Sequence, residues 1–149
     1  MMDKVTQSTR SRMMAAVRNR DTAPERQVRA MLHAAGLRFR LHDRSLPGTP
    51  DIVLKKYATI IMVNGCFWHG HHCPRGKLPT THTDFWLKKQ TTNRRRDAEA
   101  IRRLRALGWR VLVIWECKIR EKTELARTLA KAFPQIQRIE LESHNNDSS

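Results

Sequence analysis

The segment from Asn64 to Cys73, NGCFWHGHHC, places two cysteines, three histidines and an adjacent Phe–Trp pair within ten residues. Thiolate sulfur and imidazole nitrogen are borderline-soft donors that suit zinc, and Cys66, His71 and Cys73 lie close enough to share one ion. A closed tetrahedral site needs a fourth ligand, and the remaining cysteine, Cys117, stands far along the chain. If Cys117 joins, the metal staples two distant segments and fixes whatever Phe67, Trp68 and His69 present. No other short stretch constrains the fold as strongly.

The chain has 149 residues, enough for one domain with a real core. Lys and Arg number 29 against 14 Asp and Glu, a formal net charge of +15. Such an excess opposes compaction through self-repulsion, so a polyanionic partner is expected, nucleic acid first and an anionic membrane surface second. The apolar run from Ala58 to Val63 is too short to span a bilayer, and the opening MMDKVTQSTR has no signal-peptide core. These features predict an intracellular, cytoplasmic protein, in which an odd set of three cysteines serves metal or free thiols rather than disulfides.

The pattern predicts a basic N-terminal arm over residues 1–20, one domain over 21–141 and a disordered polar tail over 142–149. Thr22, Pro24 and Glu25 form a capping-box signature, followed by a helix with Val28, Met31, Leu32 and Ala35 on one stripe and a stop at Gly36. Leu37, Phe39 and Leu41 alternate with Arg38, Arg40 and His42, the pattern of a strand with one wet face. After the turn SLPGTP, Asp51 opens a second strand, and a third runs from Ile60 to Val63. A long helix is expected over Asp84–Leu107, stopped by Gly108. WRVLVIWE reads as a strand buried on both faces, Leu125, Leu129 and Phe133 as a last helix, and Ile136–Leu141 as an edge strand. The order of elements describes an α/β fold with a mixed sheet flanked by helices.

Several polar residues stand where packing alone does not call for them. Asp51 begins a strand, where Asp is disfavoured; it either caps the preceding turn or offers a hard oxygen ligand to Mg²⁺. Asp97 shares a helix stripe with Ile101 and Leu104, so it faces the sheet and needs an arginine or a metal as partner. Glu25 shares a stripe with Val28 and Leu32, and the capping box competes with a catalytic role. The loop holds more imidazoles than one metal can use, which leaves a free histidine for proton transfer; His69 is preferred to His72. Phe67 and Trp68 are either core or a wedge for unstacking base pairs, with Met14 on the basic arm as a second wedge. Lys88, Lys89, Arg94, Arg95 and Arg96 crowd one helix with positive charge, which favours phosphate contact.

The segments TRSRMMAAVRNRDTAPE, SLPGTPDIV, NGCFWHGHHC, FWLKK, NRRRD and LGWRVLVIWEC resemble, in order and spacing, the very-short-patch-repair (Vsr-type) DNA mismatch endonucleases over roughly Thr9 to Cys117. That resemblance implies a restriction-endonuclease-like core of the PD-(D/E)xK type, without the usual acid-x-lysine pair. It implies nicking of one strand 5′ to the thymine of a T:G mismatch, the lesion left when 5-methylcytosine deaminates. Asp51 and the backbone carbonyl of Val63 would hold Mg²⁺, His69 would act on the attacking water, and Asp97 and Glu25 would order metal-bound waters. Cys66, His71, Cys73 and Cys117 would hold a structural zinc, while Phe67, Trp68 and Met14 would intercalate beside the mismatch. Action as a monomer on mismatched duplex DNA, with handover to mismatch-repair proteins and a repair polymerase, would follow.

One departure stands out. The family commonly places a second histidine where this chain has Asn64, which cannot shuttle a proton near neutral pH but can hydrogen-bond a water or a phosphate. The competing readings are a sequence-specific restriction nuclease or resolvase on the same fold, and a zinc-stabilised DNA-binding module with a weakened active site.

Overall fold

The computed structural model describes residues 22–119 and 121–134. The basic arm with Met14, the edge strand expected over Ile136–Leu141 and the polar tail lie outside the described residues.

Helix α1 (Ala23–Ala34) starts as its sequence dictates: Thr22 is extended, its hydroxyl accepts from the Glu25 amide at 3.3 Å, and Pro24 sits in the first turn. Val28 and Leu32 are fully buried, with Met31 and Ala35 packed beside them. The helix ends in a Schellman motif, in which the Gly36 amide donates to the His33 carbonyl and the Leu37 amide to the Leu32 carbonyl. Gly36 takes the left-handed φ of +79° that this cap demands.

The strand expected from Leu37 to His42 is shorter than its alternation predicts. Only Arg40–Leu41 (β1) pairs, antiparallel to Val53 and Ile52. Leu37 is buried through the helix cap, and Leu41 is 40% exposed rather than inward. His42 follows with a left-handed φ of +47°, which breaks the extended path. A short strand with an arginine suits the edge of a sheet, where a long apolar one would invite pairing with other chains.

Strand β2 (Ile52–Leu54) pairs antiparallel with β3 (Thr59–Asn64) through a single 3₁₀ turn, Lys55–Tyr57. Long helix α2 (Thr83–Ala106) then crosses over, so that β4 (Arg110–Trp115) lies parallel to β3 in the order β1-β2-β3-β4. The end of α2 repeats the two cap bonds of α1, from Gly108 to Arg105 and from Trp109 to Leu104. The strand read through Glu116 stops at Trp115. Glu116 opens a helical turn, α3 (Glu116–Ile119), before α4 (Lys122–Ala132).

Side chains leave the strands alternately to two cores. Ile52, Leu54, Ile61, Val63 and Ile114 meet Val28 and Leu32 of α1 and Leu125 and Leu129 of α4. Val53, Ile60 and Met62 meet Ala100 and Leu104 of α2. The sheet is thus covered on both faces, the arrangement of a mixed α/β domain. In β4 only Ile114 is fully buried, with its neighbours half-buried, because β4 ends the strand order among the described residues. Among these residues no helix is long and apolar enough to cross a membrane.

The turn before Asp51 presses on α2. A methyl group added at Gly48, which holds a φ of +75°, would stand 2.5 Å from the Ala100 Cβ. Gly48→Ala is therefore expected to destabilise the fold by about 2 kcal/mol or more, from overpacking and backbone strain together. Urea unfolding measures it; a change below about 0.5 kcal/mol, the range of an ordinary surface substitution, would show that the turn simply moves away.

Candidate active site and metal cluster

Where β3 and β4 end side by side, the chain brings together the ligands that lie far apart in sequence. Asn64 pairs with Trp115, so Cys66 and Cys117 both follow two residues beyond paired positions. The Cys117 amide donates to Cys66 Sγ at 3.3 Å, and His71 Nδ1 lies 3.7 Å from Cys117 Sγ. Ligand atoms of Cys66, His71, Cys73 and Cys117 all fall within 4.8 Å of one another, and the three cysteines form no disulfide. Such a set can hold one metal ion.

Burial pushes the Cys66 thiol up to about 12, against the Cys117 amide and helped by the neighbouring thiols. Cys73 is held down at about 6, first by its hydrogen bond with His71. One sulfur therefore ionises readily and another only when a cation compensates it. The loop closes tightly around this cluster, since a Cβ on Gly76 would lie 1.9 Å from the His71 carbonyl oxygen.

Beside the cluster opens a cleft of about 230 Å³, lined among others by Asp51, Val63, Asn64, Phe67, Trp68, His69 and Asp97. Asp51 Oδ2 accepts from the Val63 amide at 2.9 Å, a bond made possible by the antiparallel register of β2 on β3. Glu25 is 1% exposed and turns away from its own helix terminus toward Asp51. Thr22 caps the Glu25 amide, but the Glu25 carboxylate is held by His42 Nε2, at 3.0 and 3.2 Å, and by Arg29 at 3.3 Å. Burial raises the Asp51 carboxyl to about 7; the Val63 amide opposes that rise and the Glu25 charge adds to it. With His42, the two acids place one donor atom each within 4.8 Å of the others, a set that could hold a metal ion.

His69 faces the same cleft. Its Nδ1 lies 3.1 Å from the Gly65 carbonyl and its Nε2 lies 2.6 Å from Asp97 Oδ2, a buried oxygen without another partner among the described residues. Burial lowers the His69 pKa, yet Asp97, the Gly65 carbonyl and Asp51 outweigh it, so the net shift is upward. Of the stripe predicted from the sequence, Leu104 is buried and Ile101 is partly buried against the same core, while the partner of Asp97 is this imidazole rather than an arginine. Asn64 is buried at the end of β3.

The loop backbone is held by α2. Gln90 donates to the Phe67 carbonyl at 2.7 Å, Asn93 to the Trp68 carbonyl at 2.9 Å and Arg94 to the His69 carbonyl at 3.2 Å. Phe67 and Trp68 are half-buried and belong to neither core; both rings meet Trp86 edge-on, at centroid distances of 5.1 and 6.2 Å. Trp68 Nε1 is shielded and unpartnered among the described residues. Lys88, Arg95 and Arg96 are exposed, and Lys89 is half-buried. Arg94, expected on phosphate, spends part of its guanidinium on the loop carbonyls.

Four contributors escaped the sequence reading. His42 looked like the polar side of a strand, and nothing in its spacing points to Glu25. Trp115 stacks on His71 at 4.1 Å and meets His69 edge-on at 5.9 Å, so one ring orients both imidazoles. Gln90 and Asn93 are single polar residues on a basic helix. A second Phe–Trp pair, Phe85 and Trp86, eighteen residues after the first, was the signal that could have revealed the aromatic cluster.

Buried carboxylates paired with histidine, next to a thiolate-rich metal-type cluster, define a hydrolase-like site on a mixed α/β fold. A profile of the family described as DNA mismatch endonuclease Vsr matches residues 2–75. DNA mismatch endonuclease Vsr of Escherichia coli is 48% identical over 125 residues, covering 84% of this chain and 80% of its own. The type II nicking enzyme V.XorIIP of Xanthomonas oryzae is 46% identical over 119 residues, 80% of this chain and 88% of its own. V.NmeAIP of Neisseria meningitidis, also a type II nicking enzyme, is 40% identical over 137 residues, 92% of this chain and 98% of its own. The chain belongs to the Vsr family of DNA mismatch endonucleases.

The raised Asp51 value has a consequence for stability. Between its ordinary value of 3.8 and about 7 the folded protein holds a proton that the unfolded chain has released, so stability falls as pH rises through that window. Asp51→Asn removes that loss. In buffer without added divalent ions, its melting temperature relative to wild type is expected to be higher at about pH 8 than at about pH 4. The same difference at both pH values would show that Asp51 titrates as an ordinary carboxyl.

Proposed function

We propose that this chain is an endonuclease that nicks one strand of duplex DNA on the 5′ side of the thymine in a T:G mismatch, initiating very short patch repair. The observation that carries this reading is the single cleft in which Asp51, His69 and Asp97 stand beside Phe67 and Trp68. A hydrolytic group and an aromatic wedge then address the same step of the duplex. We read the core as restriction-endonuclease-like, and the protein as a monomer working in the cytoplasm.

The donor sets fit two metals. Three thiols and an imidazole match a structural zinc, at Cys66, His71, Cys73 and Cys117. Asp51, pressed against a second buried acid, fits Mg²⁺, with the Val63 carbonyl as a further oxygen donor. When bound, Mg²⁺ neutralises charge on the scissile phosphate and on the leaving oxygen.

The protein's own groups supply the rest. His69 is oriented by the Gly65 carbonyl at Nδ1 and by Asp97 at Nε2, and when the attacking water displaces the Asp97 contact Nε2 takes its proton. Glu25 and Asp97 order waters around the phosphate, and the Asn64 amide hydrogen-bonds there. The new P–O bond forms from water while the bond to the 3′ oxygen breaks, giving a 5′-phosphate and a 3′-hydroxyl. Lys88, Lys89, Arg95, Arg96 and the remaining donors of Arg94 hold the backbone without reading sequence. Phe67 and Trp68, with Met14 from the arm, wedge beside the mismatch, since a wobble pair unstacks more cheaply than a matched pair. The nicked product passes to mismatch-repair proteins and a repair polymerase.

Zinc-loaded protein incubated with an end-labelled T:G duplex is expected to nick it only when Mg²⁺ is added. Asp51→Ala should lower the rate by about a thousandfold or more while leaving mismatch binding nearly intact. Nicking by that variant at the wild-type rate would remove Asp51 from the chemistry. Trp68→Ala makes a separate case: its preference for T:G over T:A duplexes should shrink with the salt dependence unchanged, because the wedge carries no charge. An unaltered preference would refute the wedge.

A further inference from the structure

His42 is the residue that the mechanism above leaves idle. Its backbone amide donates to the Asp51 carbonyl at 3.0 Å, which locks the two residues side by side. The left-handed φ of +47°, uncommon for a residue with a side chain, accompanies an imidazole seated on Glu25. One donor atom each from Glu25, His42 and Asp51 lies within 4.8 Å of the others, the spacing of ligands around a single ion. Arg29 lies 3.3 Å from Glu25 Oε2, while Oε1 stands 3.0 Å from His42 Nε2. Glu25 thereby keeps one oxygen directed at the cluster.

We propose that Glu25, His42 and Asp51 together form a mixed nitrogen–oxygen site for a divalent transition ion, with His42 as a direct ligand that makes the site prefer Mn²⁺ to Mg²⁺. The proposal deepens the endonuclease reading, on which it rests for the role of Asp51. The chemistry of the donors carries it. Mg²⁺ takes oxygen ligands and keeps several of its waters, whereas imidazole is a good donor to later, softer divalent ions. Carboxylates alone already favour Mn²⁺ somewhat, and an imidazole nitrogen widens that preference. Glu25 and Asp51 stand together in the cluster with His42, and a dication there would offset both carboxylates. His42 Nε2 lies 3.0 Å from Glu25 Oε1, and a bound ion would stand between them in place of that contact.

The test uses the full, zinc-loaded chain, with Mn²⁺ as the probe. Loss of the free aqueous Mn²⁺ signal in electron paramagnetic resonance gives its affinity, Mg²⁺ competition gives the preference, and pulsed measurements detect a coordinated imidazole nitrogen. Wild type is expected to bind one Mn²⁺ at this site, to release it only to a large excess of Mg²⁺, and to show nitrogen coupling. His42→Gln and His42→Asn should lose the coupling and weaken Mn²⁺ binding by about tenfold or more. Zinc content and thermal melting identify any variant that fails to fold. Nitrogen coupling and wild-type Mn²⁺ affinity in either folded variant would overturn the proposal, as would equal affinity for the two ions in wild type. Nicking of the T:G duplex, followed in parallel with each ion, separates the two readings. Mn²⁺ held by His42 without nicking by either ion supports the site and refutes the endonuclease, whereas Mg²⁺-driven nicking without imidazole coupling does the reverse.

Discussion

The parallel register of β3 on β4 is the constraint from which the site follows. With Asn64 opposite Trp115, the loop after β3 and the turn after β4 leave the sheet as neighbours, and Cys66 meets Cys117 across a sequence distance of 51 residues. Had the register slipped by one, the two cysteines would no longer follow paired positions and the side chains of the slipped strand would change faces. The same edge of the sheet receives Asp51 from the antiparallel neighbour, through its bond to the Val63 amide. Functional groups thus collect just beyond the ends of the two parallel strands, where open α/β sheets generally place their ligand sites.

Electrostatics divides the cleft in two. On one side Glu25, His42 and Asp51 gather around β2; on the other His69 and Asp97 bridge the loop and α2. Each half contains an acid paired with a histidine, Glu25 with His42 and Asp97 with His69. Taking these acids out of water costs free energy that the paired histidines offset. Helix α2 holds the loop. Its Gln90, Asn93 and Arg94 bind three successive carbonyls of the loop, so the aromatic pair and His69 are fixed by backbone bonds rather than by packing alone. Trp115 adds a rigid wall against which both His69 and His71 lie.

Much of this was legible in the sequence because it depends on local rules. The Thr22 cap and the stripe of Val28 and Leu32 predict α1, and the pairing of Cys117 with NGCFWHGHHC follows from ligand chemistry. What failed were boundaries decided by long-range contacts. The alternation through Leu41 mimicked a strand, but Leu37 belongs to the helix cap and His42 bends away to reach Glu25. WRVLVIWE looked continuous, yet the chain turns at Glu116 as the Cys117 amide meets the Cys66 sulfur. Glu25 kept two readings open: its amide is capped by the Thr22 hydroxyl, while its carboxylate, instead of closing the box, turns to His42 and Arg29. A backbone group and a side chain of one residue can serve different masters, which no linear pattern reveals.

The Asn64 departure takes on a different meaning once His42 is placed. The resemblance leads one to expect two imidazoles at the hydrolytic centre, and this chain does hold two, but one stands at His42 instead of position 64. The positions are not equivalent. Asn64 closes β3 beside His69, where a titrating group would trade protons with the attacking water. His42 lies behind Asp51, bonded to Glu25, where it governs the charge and donor character of the acid pair. Beside position 64 the cleft offers the His69–Asp97 pair, in which burial is outweighed by the contact with Asp97 and the His69 pKa shifts upward. On the reading proposed above, the pH dependence of nicking would rest on His69 and the choice of ion on His42.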